Sequence, residues 1–170
     1  EALEAYDLAL QCEQVRHWYN GYGVGINSET LDLSQQKGIA QQPKFTIYNP
    51  WSIINLISAK GKFKTYWVNT SENALIKDII TQSSLASLKY DLAKIMAHDP
   101  AAPLKVKINE NIVFAELNRF PETIWNFLLF AGYLTFKNYR MEEDRWYANL
   151  IIPNKEVRIF WEEFIISWFS

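Results

Sequence analysis

Cysteine is nearly absent from this 170-residue chain: Cys12 stands alone, so no internal disulfide can form. That lack is compatible with a reducing compartment, and the cytoplasm is the expected location. Histidine is as scarce, with only His17 and His98, and no cysteine cluster accompanies them, which argues against a zinc site. No apolar run reaches the roughly 20 residues of a membrane helix, so no membrane partner is expected. The amino terminus lacks the basic-then-apolar pattern of a signal peptide. It also starts without Met and directly in a helical pattern, so a fragment of a longer protein is expected. Basic residues are not in excess: 17 Lys and Arg against 19 Asp and Glu give a net charge of −2. That balance argues against a sequence-independent grip on nucleic acid, which needs surplus cations.

The usual catalytic patterns are missing too. Gly21, Gly23 and Gly25 have the look of a phosphate loop, but no Lys-Ser or Lys-Thr pair follows and no buried strand precedes. Gly61-Lys62 is followed by Phe63 and fails the same way. No nucleophile elbow supports a Ser-His-Asp arrangement, although triads assemble in space and not in sequence. Cys12 lacks an activating base nearby and reads as a small buried hydrophobe. No catalytic, cofactor-binding or metal-binding residue is assigned.

What the chain has is apolar and aromatic mass. Hydrophobic residues make up 49%, ordinary for a globular chain, and rings make up 15%, so large aromatics must fill the core. The length suits one domain or two small ones.

Residues 1–18 read as a helix with Ala5, Leu8, Cys12, Val15 and Tyr19 on one face. The segment Trp18 to Gly25 reads as a tight aromatic turn. Residues 26–44 are polar and read as a long loop or loose hairpin, followed by a short strand at Phe45 to Tyr48. Asn49-Pro50 starts a helix whose buried side should be Trp51, Ile53, Ile54, Leu56 and Ile57. Lys60, Lys62 and Lys64 read as a solvated helix end. Asn69 and Glu72 form a capping-box pattern ahead of a helix with Leu75, Ile76, Ile79 and Ile80 inward. Ser83 or Ser84 caps the next, striped by Leu85, Leu88, Leu92, Ile95 and Met96. His98 falls at its end, and Asp99 to Pro103 is a weak boundary. Leu104 to Ile108 alternates as a half-buried strand, and residues 112–117 are ambiguous between strand and helix.

The most structured stretch runs from Phe120 to Val157. Pro121 opens a helix with Ile124, Trp125, Leu128 and Leu129 on one face, extended by Phe127, Phe130 and Ala131, ending at Gly132. Tyr133 to Lys137 and Trp146 to Ile152 read as two strands of a hairpin, with 138–145 as its loop. The carboxylates Glu142, Glu143 and Asp144 fall in that loop and read as a solvated tip. Asn154 caps a last helix striped by Val157, Phe160, Trp161, Phe164, Ile165 and Trp168, with Glu162 and Glu163 outward.

Five segments together resemble a bacterial family of AAA-ATPase-like proteins: Trp18 to Tyr22, Tyr48 to Ile53, Tyr66 to Ser71, Phe130 to Thr135 and Ile152 to Val157. They occur in order and span nearly the whole chain. Members of that family commonly carry an N-terminal P-loop ATPase core and a C-terminal PD-(D/E)XK nuclease-like domain. The resemblance implies a region between the two, since the phosphate loop is absent and no Asp or Glu is followed two residues later by Lys. The implied fold is mainly α (α+β): a helical, lid-like region at 1–100 and a winged-helix-like region with a β-hairpin at 101–170, the two able to form one compact unit. The implied function is accessory and non-catalytic, with the upstream ATPase core and downstream nuclease-like domain as partners. ATP and Mg²⁺ would belong to the full-length protein, with no cofactor in this region. The alternatives are a winged-helix module for nucleic acid and, third, a stand-alone hydrolytic enzyme. The candidate interaction surface comprises Trp18, Tyr19 and Tyr22, whose rings could equally be core, and the hairpin cations Lys137, Arg140 and Arg145.

Overall fold

The computed structural model describes residues 11–25, 38–68, 72–82, 86–97, 103–112, 117 and 120–169. It is an α+β structure. Its elements are α1 (Cys12–Tyr19), β1 (Tyr22–Val24), β2 (Phe45–Ile47), α2 (Pro50–Ser58), α3 (Glu72–Gln82), α4 (Ala86–Ala97), β3 (Leu104–Lys107), α5 (Pro121–Phe130), β4 (Thr135–Glu142), β5 (Arg145–Ile151) and α6 (Lys155–Phe169).

The helix starts follow their caps. Asn49 Oδ1 accepts from the backbone N–H groups of Trp51 and Ser52, with Pro50 at the first helical position of α2. Asn154 Oδ1 accepts from Val157 N–H at 3.1 Å and opens α6. Pro121 opens α5, and Gly132, at φ +83°, lies just past its end. The expected caps at Asn69 and Ser83 or Ser84, and His98, lie outside the described residues.

A three-stranded antiparallel sheet has the order β3-β5-β4. Gln41 bridges Tyr139 on the outer side of β4, so residues 38–41 line that edge. The hairpin is longer than the sequence suggests. Residues 138–142 belong to β4, and only Glu143 and Asp144 turn the chain. Both have positive φ (47° and 60°), as a two-residue turn matching the strand twist requires. The polar residues in this arm alternate with Tyr139 and Met141, a pattern hidden by its charge. A register shift between Phe136 and Asn138 marks a bulge at Lys137.

The aromatic segment after α1 is also more ordered than expected. It supplies β1, which pairs antiparallel with β2.

The principal core gathers Ile76, Ile80, Leu88 and Leu92 from α3 and α4 with Val106, Leu150, Leu128 and the α6 residues Val157, Phe160, Trp161 and Phe164. Side chains from both sides of the 99–103 segment therefore share one cluster. Glu162 and Glu163 face outward as expected. Asn126 is buried within α5, donating to the Lys107 and Glu122 carbonyls and accepting from Asn109 N–H. It fixes α5 against the end of β3, a polar tie that the apolar stripe gave no sign of.

Three burial expectations are corrected. Cys12 is exposed, not buried, because its turn of α1 projects beyond the small cluster of Val15, Tyr19 and Leu56. Phe130 is exposed at the end of α5. In α2, Trp51 (55% exposed) and Ile54 (61%) face outward, while Ser52 and Leu56 face in. The reason for this last rotation is the partner that Ser52 finds.

Candidate functional site

That partner is Glu156. It lies in the first turn of α6 and is completely buried, at 0% exposure. A carboxylate out of water is costly unless its oxygens are hydrogen-bonded. Here Oε2 accepts from Ser52 Oγ at 2.7 Å. Oε1 accepts from the backbone N–H groups of Tyr66 and of Trp67, the latter at 2.7 Å. One side chain thus ties α6 to α2 and to the 66–68 segment, across 104 and 90 residues of sequence. Rotating α2 to bring Ser52 to this carboxylate puts Trp51 and Ile54 outside.

The aromatic side of the same joint is built on Tyr19. Its hydroxyl donates to the Lys64 carbonyl at 2.8 Å, its own carbonyl accepts from Asn49 N–H at 2.9 Å, and its ring stacks with Phe63 and lies tilted to Tyr66. Burial raises its pKa well above the ordinary tyrosine value. Gly21, at φ +119°, sits against the backbone of Pro153; a Cβ there would lie 1.9 Å from the Pro153 carbonyl oxygen. No other residue fits this crossing. Trp67 packs on Tyr133, with ring centroids 4.9 Å apart, and Gly132 leaves room for Trp67 and Tyr22.

Tyr22 points its hydroxyl into this joint. Among the described residues, Tyr22 Oη and Asn154 Nδ2 are buried polar atoms without a hydrogen-bond partner. Burial is the largest influence on the phenol and pushes its pKa up to about 12; Asn154 and Asn49 pull the other way. Those two amides are near enough to act on the titration but do not meet hydrogen-bond geometry with the hydroxyl.

The six candidate surface residues thus fall into two separate groups. Tyr19 is core, which removes it from any surface. Trp18 is half-buried, with Lys155 Nζ 4.5 Å from its ring centroid, a cation–π contact. Lys137 and Arg145 are exposed on the hairpin. Arg140 pairs with Glu142, which also takes Lys105 at 2.6 Å. The carboxylate bonds to Lys105 and the charge of Arg140 hold the Glu142 pKa below its ordinary value. One acid therefore offsets two of the cations at this end of the sheet. Glu142 is in the strand, not the loop, and Glu143 and Asp144 form the exposed tip.

Sequence reasoning missed Glu156. A charged residue in the first turn of a helix ordinarily reads as a favourable interaction with the helix dipole in water. Between the charged Lys155 and the apolar Val157, nothing in the local sequence marks it as buried.

Among the described residues, no His, Cys, Asp and Glu group could hold a metal ion, and no helix is long and apolar enough to cross a membrane. No known family, curated protein or solved structure matches this chain.

Proposed function

We propose that this chain is a non-catalytic accessory region of an AAA-like ATPase. Its helical half acts as a lid-like element and its second half, from β3 onward, as a winged-helix-like contact module. The order β3, α5, β4, β5, α6 is compatible with such a module, as is the β3-β5-β4 sheet. One observation carries the reading. Described residues of all five segments on which the family resemblance rests meet in the joint around Glu156, Tyr19 and Trp67. Their polar groups bond to one another, so these residues serve to fix two halves of the chain together. That suits an element that transmits position between neighbouring domains and supplies no chemistry of its own.

The test is ATP turnover by the full-length polypeptide with and without this region. Removal is expected to change the rate by about tenfold or more, a coupling of about 1.4 kcal/mol. The 170-residue chain alone is expected to turn over no ATP. Turnover by the chain alone at the full-length rate overturns the reading.

A further inference from the structure

Among the described strands, β3 pairs with β5 alone, and α4 and α5 both touch it. A cleft of about 680 Å³ runs along it, lined by all four β3 residues, with α4 on one wall and the first half of α5 on the other. Successive residues of an antiparallel strand turn their backbone groups to opposite sides. Ile108 N–H donates to the Trp146 carbonyl at 2.8 Å, toward β5. Lys107 and Lys105 lie one and three residues earlier in the same ladder, so their N–H and C=O groups point away from β5 and into the cleft.

One end of this edge is already occupied by an amide. Asn126 Nδ2 donates to the Lys107 carbonyl at 2.9 Å, and its Oδ1 accepts from Asn109 N–H at 2.9 Å. Those two backbone groups flank Ile108, and they are the pair that one residue of an added parallel strand would take. The buried side chain therefore imitates a single residue of a fourth strand. The next pair along the ladder is the Lys105 carbonyl and Lys107 N–H. Among the described residues, neither group has a hydrogen-bond partner. An unpaired strand edge is a ready template for another chain.

We propose that this cleft receives an extended acidic peptide of a partner protein, which adds to the β3 edge where the Asn126 amide leaves off. The peptide backbone takes the open groups of Lys105 and Lys107, as in other strand additions. A second folded copy of the chain does not fit, because its own β3 edge is recessed between the same two helices. Charge selects the sequence. The Lys105 and Lys107 side chains stand on the face of the sheet opposite buried Val106. Glu142 already takes Lys105, whereas Lys107 has no ion pair among the described residues. A carboxylate on the added strand beside Lys107 supplies that cross-strand partner. Alternate peptide residues face the Val106 side, where α4 and α5 pack and Leu104 and exposed Phe120 offer apolar surface. The wall carboxylates Asp91 and Glu122 belong to those helices and confine the peptide's acids to the Lys107 face. The inference gives the contact role proposed for the second half a defined edge. It is measured on this chain alone, so it stands or falls apart from any effect on ATP turnover.

The test is a titration of the 170-residue chain with a capped heptapeptide of alternating valine and glutamate, followed by fluorescence anisotropy of a dye on the peptide. Saturable one-to-one binding is expected, with a Kd of about 1 mM or tighter. Saturating peptide should slow amide exchange at Lys107 by about tenfold. Lys107→Pro removes an N–H that β5 does not use and should weaken binding by about tenfold or more; melting without peptide verifies that the variant is folded. The same peptide N-methylated at its three central residues keeps every side chain but loses the strand edge, and should bind at least about tenfold more weakly to the unaltered chain. A valine–lysine heptapeptide should be weaker by a similar factor. Absence of saturable binding, equal binding of the N-methylated or the lysine peptide, or unchanged Lys107 exchange overturns the proposal. So does a dimer of the chain alone that Lys107→Pro dissolves, which would put a second copy on this edge.

Discussion

The α1–α2 cluster buries three hydrophobic residues, Val15, Tyr19 and Leu56, with half-buried neighbours such as Phe63 and Tyr66 around them. The cluster over the sheet draws on α3, α4, α5, α6 and all three strands, and includes Phe160, Trp161 and Phe164. In the larger cluster, apolar burial supplies most of the stabilisation, at about 25 cal/mol per Å². The smaller one has too little such area. It is held by directional bonds between distant residues: Tyr19 to Lys64, Asn49 to Tyr19, and Glu156 to Ser52, Tyr66 and Trp67. Size thus decides mechanism within one chain. Where the core is thin, buried polar groups take over, and they fail differently when disturbed.

The sharpest way to break that comparison is Glu156→Ala. It leaves a buried hydroxyl and two backbone N–H groups without their acceptor. Each orphaned donor costs about 1–3 kcal/mol, so a loss of about 3–5 kcal/mol is expected in urea unfolding. Amide exchange at Tyr66 and Trp67 should accelerate before that of the sheet. Glu156→Gln keeps one carbonyl oxygen and should cost less. A loss below about 1 kcal/mol for the alanine variant would mean that the joint is not held by this carboxylate.

Leu128→Ala applies the matching insult to the larger cluster. The side chain is buried between α5 and its neighbours, so a loss of about 3 kcal/mol is expected from lost transfer energy and the remaining cavity. Here exchange should rise across the sheet and α6 together. If instead the joint opened first, as for Glu156→Ala, the two clusters would not differ in how they yield.

The same contrast explains what the sequence disclosed. Apolar periodicity located the larger cluster well: the stripe Val157, Phe160, Trp161, Phe164 of α6 is buried, as are Leu88, Leu92 and Ile95 of α4. Capping chemistry placed the starts of α2, α5 and α6. Periodicity failed on α2, where a hydroxyl bonded to a distant carboxylate outweighs an indole and an isoleucine. Nothing local in the sequence pairs Ser52 with Glu156. It failed again on the second half of β4, where charged side chains on the open face mask strand alternation, and where a turn without glycine gives no usual hairpin signal.

The smallest expected effect tests the polar joint from its least satisfied member. Tyr22 Oη is buried without a hydrogen-bond partner, so Tyr22→Phe should be close to neutral near pH 8, or slightly stabilising, since it removes an unpaired polar atom. In alkali the wild-type chain behaves differently. The folded-state pKa is raised to about 12 by burial, above the ordinary tyrosine value of 10.0. The folded state therefore holds this proton where the unfolded state has released it. The resulting contribution is fully present below pH 10, declines as pH rises, and is lost above about 12. It should amount to on the order of 1–2 kcal/mol. Tyr19 is shifted in the same direction, so both wild type and variant lose stability in alkali. The Tyr22 share is their difference, read from urea midpoints taken between pH 9 and 12. Wild type should lose more than Tyr22→Phe over that interval. Parallel curves would place the Tyr22 hydroxyl in water, and the joint would then be open on the side where α1 meets α6.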